Sequence, residues 1–298
     1  MIMKAFKFLS NTVVVVSLAL LASCSSEDDM QPSGRRLEFT ANIESNEVTR
    51  ATLVTNDLKQ EVHWDDNDQI MVFCDNGEYP GKFSVSPSFN DGKTATFANY
   101  EEELPNSFNA KKYYYALYPY VTATFDASTT KIRSVLSASQ AVTKGHSCDK
   151  NSLIMVASAN VDDRIFNFKN VTALVKVNVS GNGNGRVKYI EIAAKNPQNR
   201  LSGNFEATVN YNTKELKVFV VSDADDKNKV KLAIPASDES KDFYIAVLPG
   251  FVSNGLTFKF ENDHETIYEL SSDKDLTFVS SKIYNFGSYN VADFPTKE

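Results

Sequence analysis

Val171-Thr172-Ala173-Leu174-Val175-Lys176-Val177-Asn178-Val179 decides the fold class. It opens as an apolar run and ends in strict apolar–polar alternation, the period of two that sends successive side chains to opposite faces of a β-strand. Four of its residues are valine, whose branched Cβ suits a pleated sheet. The same rhythm recurs on both sides. Leu37, Phe39, Ala41 and Ile43 alternate with Glu38, Thr40 and Asn42, Ile70 to Cys74 is a short apolar run, and Tyr113 to Tyr120 is aromatic on both faces. Further on, Ile190 and Ile192 oppose Val187, Tyr189 and Glu191; Phe243, Ile245 and Val247 alternate with Tyr244, Ala246 and Leu248; Leu256, Phe258 and Phe260 alternate with Thr257 and Lys259. Asn76-Gly77, Asp91-Gly92, Gly181 to Gly185 and Asn254-Gly255 mark tight turns between such runs. No long, capped segment has a helical period. The chain therefore reads as all-β, with about eighteen short strands, too many for one small sandwich. The expectation is two tandem β-sandwich domains, 37–164 and 165–298, divided at the polar stretch Asn160 to Arg164. One elongated sandwich is the alternative.

Composition agrees and narrows the function. Of 298 residues, 42% are hydrophobic and 23% charged, enough to bury a core while staying water-soluble. The formal charge is 31 − 38 = −7 without any long basic run, which argues against nucleic acid as a partner because phosphate neutralisation needs clustered cations. Phe 20 and Tyr 13 against a single Trp is a strand-favouring aromatic balance.

The first residues belong to export rather than to the fold. Lys4 and Lys7 precede the apolar run Val13 to Ala22, which is too short for a membrane-spanning helix of about 20 residues and fits a signal peptide over 1–23. Its end, Leu21-Ala22-Ser23-Cys24, resembles a bacterial lipobox, so Cys24 is expected to carry the lipid that holds the mature chain to the outer membrane. Removing 1–23 takes away two lysines and leaves a charge of 29 − 38 = −9. Ser25-Ser26-Glu27-Asp28-Asp29 opens an acidic tether over 24–36 and resembles the surface-export signal of Bacteroidetes lipoproteins.

Little in the chain supports catalysis. His63, His146 and His264 are scattered, no Cys-x-x-Cys or His-x-x-x-His pair exists, and neither a Gly-x-Ser-x-Gly elbow nor a Walker loop is present. Neither a metal nor a cofactor is expected, and the chain does not read as an enzyme. Gly181 to Gly185 joins two strands without a following helix, so it reads as a hairpin rather than a phosphate cradle. Asp65 to Asp68 and Asp223 to Asp226 lack EF-hand spacing and read as solvated loops. Cys74 and Cys148 are expected as two separate thiols, although the compartment permits a disulfide. Lys111 to Tyr120 carries Tyr115, Tyr118 and Tyr120, which could stack on a sugar but read first as a core strand whose hydroxyls reach the sandwich edge.

Taken in order, several segments resemble the fimbrillin family of Bacteroidales, the FimA-like type V pilins and their accessory lipoproteins. These are the lipobox at Cys24, Glu47-Val48-Thr49-Arg50-Ala51, Trp64 to Phe73, Tyr115-Ala116-Leu117-Tyr118-Pro119-Tyr120, Leu136 to Gln140, Phe168 to Val177, Leu201-Ser202-Gly203, and Phe243 to Gly250. The resemblance implies two transthyretin-like Greek-key sandwiches and a fimbrial subunit whose partners are other subunits. It implies a cut between Arg50 and Ala51 that releases the lipid and frees the strand Leu37–Ile43, with Arg35-Arg36 as a competing site that would spare it. A strand from a neighbour would then fill the vacated groove, and Tyr284 to Phe294 is the donor segment the sequence offers. The competing function is an uncleaved surface lipoprotein acting as fimbrial anchor, tip adhesin or glycan-binding module toward a host ligand.

Overall fold

The computed structural model describes residues 36–44, 52–56, 59–77, 79–100, 103–143, 146–180, 186–221, 227–235, 241–265 and 267–290. In chain order the strands are β1 Glu38–Ile43, β2 Thr52–Asn56, β3 Lys59–His63, β4 Gln69–Cys74, β5 Gly81–Asn90, β6 Thr94–Ala98, β7 Tyr113–Tyr118, β8 Ala123–Asp126, β9 Lys131–Leu136, β10 Ser139–Ala141, β11 Met155–Asn160 and β12 Ile165–Asn170. They continue as β13 Ala173–Ser180, β14 Val187–Ala194, β15 Gly203–Val209, β16 Leu216–Val220, β17 Lys229–Ala233, β18 Lys241–Val247, β19 Gly250–Val252, β20 Leu256–Asn262, β21 Ile267–Ser271, β22 Leu276–Phe278 and β23 Ile283–Asn290. The one helical turn among the described residues is the 3₁₀ segment Lys150–Ser152, capped by the Asp149 side chain.

Seven strands close into a barrel in the order β1-β12-β11-β7-β4-β5-β6. Alternation explains its filling: Phe39 of β1, Phe83 of β5, Phe97 of β6, Tyr114 of β7, and Phe166 and Phe168 of β12 all point inward and are buried. Trp64 joins them and meets Phe97, Tyr118 and Phe168 edge-on at 5.0–5.4 Å between ring centroids. A second core lies between the sheet β18-β13-β23 and the sheet β10-β17-β14-β20-β21, with Val175, Val177, Ile190, Ile192, Ile245 and Phe260 at its centre. A third core fills the space between the outer face of the barrel and the sheet β16-β15-β9-β8, and holds Phe73, Tyr115, Leu117, Phe205, Leu174 and Tyr244. Strands β7 and β13 each serve two cores. Tyr114 and Ala116 face the barrel interior while Tyr115 and Leu117 face the third core; Val175 and Val177 face the second core while Leu174 faces the third. This double service is why both segments read as apolar on both faces.

The stretch Asn160 to Arg164 is not a boundary between lobes. Residues 161–164 form the turn of the β11–β12 hairpin, and both of its strands belong to the barrel. Strands from the first half also pair into the second: β9 with β15, and β10 with β17. A division at residue 164 would cut these ladders, so the two halves are interleaved.

Candidate functional site

β1 closes the barrel between β6 and β12. It runs parallel to β12, with Ala41 opposite Phe166 and Ile43 opposite Phe168, and antiparallel to β6, with Phe39 opposite Phe97 and Ala41 opposite Ala95. Leu37, Phe39 and Ala41 are at most 1% exposed, and Ile43 is 9% exposed. The Phe39 ring has three aromatic neighbours: Phe166 stacks on it at 4.8 Å, and Tyr114 and Phe83 meet it edge-on at 5.0 and 5.1 Å.

Polar contacts fix the register of β1. The Trp64 indole N–H donates to the Ala41 carbonyl at 3.1 Å. Asn42 spans both neighbours: its Nδ2 donates to Asn167 Oδ1 at 3.1 Å, and its Oδ1 accepts from the Thr94 hydroxyl at 2.9 Å. The Leu37 amide donates to Asn99 Oδ1 at 2.7 Å, and Lys169 pairs with Glu44 at 2.5 Å. Because a one-residue slip would turn every core side chain outward, these contacts and the inward set specify the same alignment. The inward set is legible in the alternation of β1, whereas the Trp64 clasp and the Asn42 bridge have no local signal beyond one Trp and one Asn at strand-compatible positions.

Cys24, Arg50 and Ala51, where lipidation and cleavage are expected, lie outside the described residues, as does Arg35. The chain order still matters: β1 ends before Arg50 and every other barrel strand begins after it. The segment from Tyr284, the expected donor, is described as far as Asn290. It forms β23, paired in parallel with β13 through Leu174–Ile283 to Ser180–Asn290, with a register shift between Lys176 and Asn178. Phe286 lies against Phe258 and Tyr289 against Phe260, at 4.9 and 5.1 Å between centroids.

The three tyrosines singled out for stacking go to three environments. Tyr118 is wholly buried in the barrel and its hydroxyl donates to Asp68 Oδ1 at 3.1 Å. Tyr120 is 40% exposed. Tyr115 lies on the opposite face of β7, 7% exposed, against Phe125. The Asp65–Asp68 loop holds a cation of the chain's own: Lys150 Nζ lies 2.6 Å from Asp68 Oδ1 and 3.0 Å from Asp65 Oδ2. Burial raises the Asp68 carboxyl above its ordinary 3.8 even beside this ammonium. Burial opposes the charge on Lys150 in turn, but the bonds to Asp68 and Asp65 outweigh it and raise the amine. Among the described residues no cluster of three or more His, Cys, Asp or Glu is arranged to hold a metal. Gly181 to Gly185 and Asp223 to Asp226 lie outside the described residues. Cys74 is buried in the barrel and Cys148 in the third core, and neither is in a disulfide.

The family model described as fimbrillin-like matches residues 49–288. No curated protein matches the chain. Among solved structures, one described as a cell adhesion protein from Bacteroides ovatus aligns over 89% of this chain and 96% of its own, at 14% identity and a TM-score of 0.54, which supports the shared fold. A similarly described protein from Bacteroides uniformis aligns over 88% and 96%, at 16% identity and a TM-score of 0.49. The tip fimbrial protein Mfa3 from Porphyromonas gingivalis aligns over 84% and 93%, at 10% identity and a TM-score of 0.36.

Proposed function

The chain belongs to the fimbrillin-like family, and on that premise we propose that it is a fimbrial subunit that polymerises by donor-strand exchange at the β1 slot. In this reading it is exported as a lipoprotein anchored through Cys24 to the outer-membrane surface, cut between Arg50 and Ala51, and joined to other subunits of the fimbrium. The barrel and the C-terminal sheets are read as two transthyretin-like Greek-key units that exchange strands. The protein acts through backbone pairing and not as an enzyme.

One observation carries the proposal: β1 is the barrel strand that lies entirely before Arg50. A cut there leaves it held by non-covalent contacts alone. Its loss would expose the facing edges of β6 and β12, whose N–H and C=O groups then need a partner. Three large buried side chains leave with it, worth about 5–9 kcal/mol of apolar burial at about 1.5–3 kcal/mol each. That is comparable to the whole stability of a typical domain, about 5–15 kcal/mol. An empty slot is therefore unstable, and a neighbour's strand that restores both ladders and the inward side chains relieves it. Head-to-tail repetition of that contact builds a filament.

A second reading is favoured by β23. Its ladder to β13 and the seats of Phe286 and Tyr289 occupy the donor segment within the same chain. A subunit whose donor stays at home can accept a strand but not give one, and would sit at one end of a fimbrium as tip or anchor. Mass spectrometry of the mature N-terminus, with electron microscopy of shed material, separates the readings. Ala51 at the N-terminus and filaments built from this chain support the stalk subunit. The same N-terminus with single copies at filament ends supports the tip. Acylated Cys24 retained on a monomer overturns strand exchange.

A further inference from the structure

We infer that the cleft between β7 and the β15–β16 turn is a binding site for a neutral carbohydrate. The cleft encloses about 340 Å³, the lower end of the range for small-molecule sites and suited to one or two sugar rings. Tyr113 and Tyr115 come from β7, Thr130 from the β8–β9 turn, and Asn210, Tyr211 and Asn212 from the β15–β16 turn. Three segments distant in sequence thus converge on one cavity. It goes beyond the proposed function and does not depend on strand exchange.

The aromatic part is built in advance. Tyr113 and Tyr211 are half-buried, their centroids 5.1 Å apart and their planes 37° apart. The Tyr211 hydroxyl donates to Asp163 Oδ2 at 2.8 Å, and the Lys214 ammonium lies 3.8 Å from the ring centroid. The ring is therefore held at both its hydroxyl and one face, which lowers the ordering cost of binding. Pyranose rings present an apolar C–H face to such an aromatic and a rim of hydroxyls to donors and acceptors beside it.

The rest of the lining fits that rim. Asn210 uses its Oδ1 on the amides of Asn212 and Thr213 at 2.9 and 3.0 Å, and so offers its amide NH₂ as a donor. Glu215 and Lys217 pair with each other at 3.5 Å, so together they bring no net charge to attract an anion. Both turns at the cleft also hold a left-handed non-glycine residue, Thr130 at φ 52° and Lys214 at φ 56°. Thr130 is β-branched, for which this conformation is costly and persists where the surroundings enforce it, as at ligand clamps.

The test is saturation-transfer NMR on the full-length chain, purified in detergent. The probes are N-acetyllactosamine and the methyl glycosides of glucose, galactose, mannose and N-acetylglucosamine. Transfer to the C–H face of at least one probe is expected. Tyr211→Ala should weaken that binding by about tenfold or more. Asn212→Ala, on an exposed turn where folding is not at stake, should weaken it as well, and Tyr120→Ala, outside the cleft, should not. Transfer to none of the probes, binding that survives both cleft substitutions, or equal loss in Tyr120→Ala would overturn the inference. Each outcome is read on the unprocessed chain, so a failure of strand exchange would leave it unchanged.

Discussion

Phe39→Ala tests whether β1 holds the barrel shut. The ring is 1% exposed and touches Phe83, Tyr114 and Phe166, which belong to three different barrel strands. Truncation removes the transfer energy of a buried ring and leaves a cavity that barrel closure prevents from collapsing, a loss of about 3–5 kcal/mol. For a chain of this size, at roughly 2 °C per kcal/mol, that corresponds to a fall in Tm of roughly 5–10 °C. The assay is urea unfolding of wild type, Phe39→Ala and Thr40→Ala, the last on the outward face of the same strand. Thr40→Ala should change stability by about 0.5 kcal/mol. A Phe39→Ala protein within about 1 kcal/mol of wild type, below any cost expected for a buried ring, would show that β1 is a peripheral strand and would remove the energetic basis of slot exchange.

The Asp68–Lys150 pair has a pH signature. A carboxyl raised in the folded state contributes most below its ordinary 3.8 and loses that contribution as pH rises through the folded value. Lys150→Met removes the cation, and near pH 7 it should cost about 2–3 kcal/mol. This is less than the loss for a fully buried pair because a third of the Lys150 side chain is in solvent. The cost should shrink on acidification, as a neutral Asp68 needs no counter-ion; urea midpoints that fall equally at neutral and acid pH would refute the assignment. Cys74 and Cys148 should react with a thiol reagent only after unfolding, and intact mass should not change on reduction; a gain of two hydrogens would reveal a disulfide.

Strand existence was legible in the sequence where one side chain set was inward and the other outward, as in Leu37, Phe39, Ala41 and Ile43. Partnership was not. The parallel pairing of β1 with β12 joins residues more than a hundred positions apart, and nothing in the period of either strand names the other. The same limit explains the misplaced division at Asn160 to Arg164: a polar turn inside a hairpin and a linker between domains have the same composition. The Tyr115–Tyr120 segment shows the limit at the candidate site. Adjacent positions on β7 face a closed barrel and an outer cleft, so one aromatic motif holds a core residue and a cleft residue, and only the sheet's placement separates them. The cleft itself needed Tyr211, which no local pattern ties to β7.

β1 lies parallel to β12, β23 lies parallel to β13, and the two host strands are joined by Val171 and Thr172 alone, both essentially inaccessible to solvent. Force reaching β12 through the β1 ladder would pass to β13 across that short covalent link, whichever strand occupies the β1 slot. Strands pulled along their own axes load their ladder hydrogen bonds together rather than one after another. The barrel and the second core are thus coupled by two buried residues rather than by a loop.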